Sequence, residues 1–235
     1  MSLALTAEEA QEARSLIARL GVLLGDPAAA PAPPAPAPPT DKGALAQADF
    51  DGAARIIGCD VAAIRAVWEV ESNGKPFGFD GRPTILFEPH VFSRETGHRF
   101  DSTHGGVSYP KWGQKPYPRG TADERHTANW DKVIYAARLD RGAAYRSASY
   151  GAPQIMGFNF ADCGFADVHA FVAAMSDSAG AQLRAFIALI RAWKLDDEMR
   201  EHRWADFARR YNGPGFAKNA YDKKLAAAHQ KWSRA

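Results

Sequence analysis

Two carboxylates stand where acid cleavage of a sugar bond could use them. Glu71 closes an apolar helical run, and Glu88 follows seventeen positions later at the end of a short β-like segment, Thr84-Ile85-Leu86-Phe87-Glu88. The stretch between them, Asn73 to Pro83, is rich in glycine and proline and can fold the chain back on itself. A pair of carboxyl groups on two rigid elements suits general-acid cleavage of a glycosidic bond. One protonates the bridging oxygen, and the other controls a water or the developing cation.

The elements that position them can be read from spacing. Asp60 is a candidate N-cap, and Ile64, Val67 and Trp68 recur three or four residues apart behind it. Glu71 falls on that same face, while Glu69 should point elsewhere. A carboxylate on an apolar stripe is partly desolvated, which raises its pKa toward what a general acid needs. The same spacing fits a plain helix-end carboxylate bonded to backbone donors. Glu88 can equally be a structural partner of Arg82, His90 or Arg94, and Asp80 and Asp101 compete with it for the second role. Spacing does not fix the carboxylate separation: about 5 Å implies a retaining route and about 7–9 Å an inverting one.

Four ordered motifs carry a resemblance. They are Glu71-Ser72-Asn73-Gly74, Gly81-Arg82-Pro83, Leu86-Phe87-Glu88-Pro89-His90 and the run from Ala148 to Asn159 containing Tyr150-Gly151-Ala152-Pro153-Gln154-Ile155-Met156-Gly157. The succession resembles the N-acetylmuramidase domain of many phage endolysins, within the goose-type lysozyme superfamily. Arg210-Tyr211-Asn212-Gly213-Pro214 resembles the superfamily's Tyr-Asn-Gly segment, and the likeness runs from about Asp49 to about Trp232. The resemblance implies a lysozyme-like α+β fold, mostly helical, with one small β-hairpin or sheet beside the active-site helix. It implies Glu71 as the acid and Glu88 as the second carboxylate. Tyr150, Gln154 and Asn159 would line the sugar cleft, and Tyr211 and Asn212 would face it. The implied reaction is hydrolysis of the β-1,4 bond between N-acetylmuramic acid and N-acetylglucosamine in peptidoglycan. Two readings stay open beside it: a lytic transglycosylase on the same scaffold, or a non-catalytic wall-binding phage protein. Asn212-Gly213 also makes a sound helix stop unaided, and Asn159 can be a simple turn residue.

Composition excludes other chemistries. Seven histidines are scattered, with no His-Glu-x-x-His, no cysteine pair at ligand spacing and no Gly-x-Ser-x-Gly, so no metal or cofactor is expected. Cys59 and Cys163 read as free thiols. The net charge is only +2, but from Arg209 onward seven Lys/Arg face one acid, Asp222. That end would suit an anionic envelope polymer, or be a solvated helix face. The expected partner is the peptidoglycan glycan strand, with no nucleic acid, no stable membrane insertion and a monomeric chain. No apolar leader is legible, so release to the periplasm would depend on a holin-type lesion.

Residues 1–26 read as an N-terminal helix, 27–40 as a Pro/Ala-rich spacer and 41–235 as the catalytic domain. Within the domain the expected helices are Asp49–Ile57, Asp60–Glu71, Pro89–Thr96, one from about Thr127, Val168–Met175, one from Ser178, one holding Trp204 to Tyr211 and one from Phe216 to Trp232. Trp130, Val133, Ile134 and Ala137 should form one buried stripe, and Leu183, Phe186, Ile187, Ile190 and Trp193 another. His98 to His126 is the least regular stretch, where Tyr109, Trp112 and Tyr117 could stack on sugar rings or pin a surface loop.

Overall fold

The computed structural model describes residues 42–71, 75–213 and 216–234, all within the compact unit Pro38–Ala235. The expected N-terminal helix and the whole spacer lie outside the described residues, as do Ser72 to Gly74, Pro214 and Gly215.

The order of elements is α1 (Gln47–Ile57), α2 (Val61–Glu71), β1 (Ile85–Phe87), α3 (Pro89–Glu95), α4 (Ala122–Leu139), α5 (Arg141–Arg146), β2 (Ala148–Tyr150) and β3 (Ile155–Met156). A 3₁₀ turn, Gly157–Asn159, leads to α6 (Val168–Asp177), α7 (Ala179–Ala192), α8 (Asp196–Arg200) and α9 (Trp204–Asn212). A second 3₁₀ turn, Phe216–Asn219, precedes α10 (Tyr221–Trp232). The fold is thus mostly helical with one small antiparallel sheet, ordered β1-β2-β3.

Caps set several boundaries. Asp60 accepts from the Ala63 amide at 2.7 Å, Asp167 from Ala170 at 2.8 Å and Ser178 from Ala181 at 3.2 Å, each silencing an amide the helix cannot pair itself. Gly58 ends α1 at φ 80°, a conformation glycine adopts without a Cβ penalty. Asp49 is not the cap of α1. It lies inside the first turn and reaches back to the Ala46 amide at 2.9 Å.

α7 is the buried post of the domain, with Leu183, Phe186, Ile187, Leu189 and Ile190 in the core. It packs on α1 and α6, while α2 and α10 form the most extensive helix pair. The sheet lies against α4 through β1. In register, Ile85 faces Tyr150 and Phe87 faces Ala148, and β2 continues with Ser149 facing Met156. Alternation along β1 buries Ile85 and Phe87 and leaves Leu86 half-buried.

Several expectations are corrected. The Ala148–Met156 run is a hairpin, with β2 and β3 paired antiparallel. α4 starts at Ala122 rather than near Thr127, because Thr121 and Glu124 form a capping box with bonds of 3.3 and 2.7 Å. Ile134 is exposed, and Ala136 takes its place in the core. Trp193 sits half-buried at the end of α7, donating to Asp162 at 3.0 Å. The helix expected from Phe216 is split by Ala220 at φ 51°.

One residue fastens the hairpin to the helical core. Gln182 of α7 is fully buried; its Oε1 accepts from the Ala152 amide at 2.8 Å, and its Nε2 donates to the carbonyls of Met175 at 2.9 Å and Pro76 at 3.1 Å. Gly151 fits over it only because it lacks a side chain: a Cβ there would lie 2.4 Å from Gln182 Oε1. Gln182→Leu would take their partner from the buried Ala152 amide and the Met175 carbonyl, while the Pro76 carbonyl keeps the Thr84 amide at 3.1 Å, so we expect a loss of about 2–4 kcal/mol in denaturant unfolding. A loss below 0.5 kcal/mol would show that these bonds do not fix the hairpin.

Candidate active site

α2 delivers Glu71 at its last turn. Ile64 and Val67 are buried beneath it, and half-buried Trp68 meets Phe186 edge-on at 6.4 Å. Glu69 is on the exposed side, where Lys231 and the Trp232 indole hold it at 2.8 and 2.7 Å. The basic end of the chain therefore packs on α2, and part of its charge answers Glu69.

The Glu71 carboxyl is largely withdrawn from water. Burial pushes its pKa from the ordinary 4.5 up to about 7, against a bond from Asn212 and the positive charge of Lys224. Asn212, at the end of α9, donates through Nδ2 to Oε1 at 3.1 Å. Tyr211 and Tyr221 share the surroundings: burial raises both phenols, and the Glu71 charge raises them further. The Tyr211 ring packs on Phe207, Phe186 and Trp193, so it acts as a wall.

Glu88 has a different setting. It follows β1 and starts α3, with its amide donating to the Ser147 carbonyl at 2.8 Å and the preceding Phe87 amide donating to Asn129 at 3.0 Å. Its carboxylate accepts from the Tyr117 hydroxyl at 2.7 Å and lies 3.3 Å from His90 Nδ1. Burial and then the Glu88 charge raise the pKa of Tyr117 and of Tyr109. Lys132 is pulled down by burial, a shift that Glu88 opposes. The groups that feel Glu71 and those that feel Glu88 share no member, so each carboxylate has its own environment. β1 pairs with β2, and Phe77 bridges Pro83 in the loop before it, so the arm carrying Glu88 belongs to the sheet.

The competing acids are occupied. Burial alone would raise Asp80, but Arg82 at 2.6 Å and His126 at 2.9 Å outweigh it and hold the carboxyl below its usual range. Asp101 is likewise held down against burial by Ser108, Ser93 and His98, at 2.5, 2.9 and 3.2 Å. Both organise loops.

Of the sequence-derived contact residues, Tyr150 is overturned. It has no exposed surface, its hydroxyl donates to the Tyr145 carbonyl at 3.1 Å, and its ring packs edge-on to Phe171. The middle strand turns it into the core, out of reach of a sugar. Gln154 is half-buried at φ 49°, a backbone state unusual without glycine. It braces its own turn, accepting from Ser149 at 2.8 Å and donating to the Gly151 carbonyl at 2.7 Å. Asn159 is half-buried in the 3₁₀ turn, its carbonyl accepting from the Cys163 amide at 3.1 Å. In the irregular loop Tyr109 is buried, Tyr117 holds Glu88, and Trp112 is 72% exposed. Tyr221 and Lys224 are the functional neighbours that sequence reasoning did not single out, while Tyr117, expected to stack on sugar or pin its loop, bonds Glu88 instead. Cys59 and Cys163 are free, with thiols pushed up to about 12 by burial.

A partly buried carboxyl at a helix end, bonded on one oxygen and titrating near neutrality, can hand a proton to a leaving oxygen. Comparisons with known proteins agree in kind. A family model described as N-acetylmuramidase matches residues 60–233. The crystal structure of the Burkholderia AP3 phage endolysin superposes with a TM-score of 0.75 at 37% sequence identity, covering 84% of this chain and 74% of that one. No curated protein matches. Among the described residues no helix is long and apolar enough to cross a membrane.

The raised Glu71 pKa has a consequence for stability. Below about pH 4.5 the group is neutral folded or unfolded and contributes nothing. As pH rises from 4.5 to 7 the unfolded chain ionises first, so stability falls across that window and stays lowered above it. We expect Glu71→Gln to match the natural chain at pH 4 and to exceed it by about 2–3 kcal/mol at pH 8 in urea unfolding. Equal stabilities at both pH values would mean that Glu71 is not desolvated.

Proposed function

The chain belongs to the N-acetylmuramidase family and is a peptidoglycan hydrolase of the endolysin kind, and we propose that Glu71 is the general acid with which it hydrolyses the β-1,4 bond between N-acetylmuramic acid and N-acetylglucosamine. The observation carrying this reading is the Glu71 carboxyl itself, held near pKa 7 by burial with Asn212 on Oε1. Because Oε1 accepts that bond, the proton resides on Oε2. Glu71 donates it to the bridging oxygen as the bond to the anomeric carbon lengthens, and the carboxylate left behind faces the oxocarbenium-like centre. Tyr211 keeps water from Glu71, and Asn212 fixes its rotamer. Lys224 and the Asn212 bond both limit how far the pKa climbs, which keeps the group acidic enough to give up its proton near neutrality.

Glu88 is proposed as the second carboxylate, which directs the attacking water. Tyr117 and His90 leave its charge oriented and only 14% exposed. Gln154 and Asn159 are proposed to meet the N-acetyl group at the hairpin and its 3₁₀ turn. The chain is proposed to work as a monomer on glycan strands, without nucleic acid, and to reach them through a holin-type lesion.

Glu71→Gln should lower release of reducing ends from purified peptidoglycan by about 10²–10⁴-fold with the fold intact. Full activity in that variant would overturn the assignment. Digests by the natural chain should carry reducing muramic acid ends in mass spectrometry, whereas 1,6-anhydro ends would show a transglycosylase. Asn212→Leu removes a bond that lowers the Glu71 pKa, so the alkaline limb of the pH–rate profile should move upward. An unmoved or downward limb would separate Asn212 from the acid.

A further inference from the structure

Asp60, His202 and His229 meet at the far end of α2 from Glu71. His202 Nε2 is 2.6 Å from Asp60 Oδ2, and His229 Nε2 is 3.2 and 3.3 Å from its two oxygens. The imidazole centroids are 4.0 Å apart, and the Trp204 ring flanks both, at 5.6 Å from His202 and 5.4 Å from His229. Among the described residues this is the one trio of His, Cys, Asp or Glu whose ligand atoms all lie within 4.8 Å of one another.

We propose that this trio is a structural site for a divalent cation of the zinc class, clamping the start of α2 to α10 and to the loop between α8 and α9. The donor set of two imidazole nitrogens and one carboxylate oxygen suits Zn²⁺ rather than Ca²⁺ or Mg²⁺, which prefer all-oxygen cages. Zinc–ligand bonds of about 2.0–2.1 Å place tetrahedral donors about 3.3 Å apart. The His229 distances already match that edge, and the His202 contact needs only to open by under an ångström to reach it. The backbone aims the rings: His202 stands at φ 53° in its loop, so the short turn between helices projects the imidazole at Asp60. The side chains are 38%, 45% and 17% exposed for His202, Asp60 and His229, which leaves a path for the ion and a fourth position for water. Asp60 Oδ1 also accepts the Ala63 amide at 2.7 Å, which orients the carboxylate as a ligand's outer partner does. The clamp joins α2 and α10, the pair that carries Glu71 and Lys224, without touching substrate.

Two neutral imidazoles donating to one carboxylate would give a similar arrangement, so the test must tell a ligand from a donor. Full-length chain free of added histidines is stripped with a chelator and titrated with Zn²⁺ in a calorimeter and in thermal unfolding. The expected result is uptake of one Zn²⁺ per chain with a raised Tm, and no response to Mg²⁺ or Ca²⁺. His202→Gln with His229→Gln keeps amide donors for Asp60 but removes zinc ligands, so it should fold like the natural chain while its Zn²⁺ affinity falls at least a hundredfold. Asp60→Asn should weaken uptake as well. No stoichiometric uptake, or uptake unchanged in the double glutamine variant, overturns the site and leaves a hydrogen-bonded network only. Cell-wall hydrolysis need not be intact for this readout, so it stands or falls apart from the role of Glu71.

Discussion

The exclusion of water from the end of α2 is the constraint on which the rest depends. A helix end normally gives a carboxylate to solvent. Here α10 packs along the helix and α9 ends beside its carboxyl: Asn212 supplies the bond, Lys224 a positive charge, and the Tyr211 and Tyr221 phenols lie close enough to feel the Glu71 charge. These groups lie about 140–150 positions beyond Glu71 in sequence. The long helical tail of the domain is therefore what makes a glutamic acid out of a glutamate. α7 serves the same end from below, since Phe186 supports both Trp68 of α2 and Tyr211 of α9.

Such a site opposes stability. A carboxyl whose folded pKa is raised to about 7 costs stability as pH rises from 4.5 to 7 and beyond, and the core must offset it. The offset is visible in the continuous apolar cluster that runs from α1 through α7 to α10, and in the fully used hydrogen bonds of Gln182. Glu88 illustrates the other solution. It keeps company with the Tyr117 hydroxyl and the His90 ring.

Much of this was legible in the residues, for identifiable reasons. Asp60, Gly58, Asp167 and Ser178 are local signals, and each sits at the boundary it announces. Glu71 was legible because helical spacing alone puts it on the face of Ile64 and Val67. β2 and β3 were not, since strands of three and two residues around Gly151 and Pro153 are too short to show alternation. The same brevity hid α5 and α8. Tyr150 was misread because its motif suggests a cleft, while the pairing of β2 between two strands sends its ring inward. The start of α4 was written in Thr121-Ala122-Asp123-Glu124 but masked by the glycines and prolines before it. Tyr117, Tyr221, Lys224 and the Asp60–His202–His229 meeting depend on long-range contacts that carry no local pattern.

The central claim is that the Glu71 carboxyl titrates near neutrality rather than in the usual carboxylate range. A carbon-detected NMR titration of the Glu71 side-chain carboxyl, assigned by comparison with Glu71→Gln, measures this directly. A midpoint near 7 is expected. A midpoint at the ordinary value of 4.5 would leave the group ionised under working conditions and contradict the account.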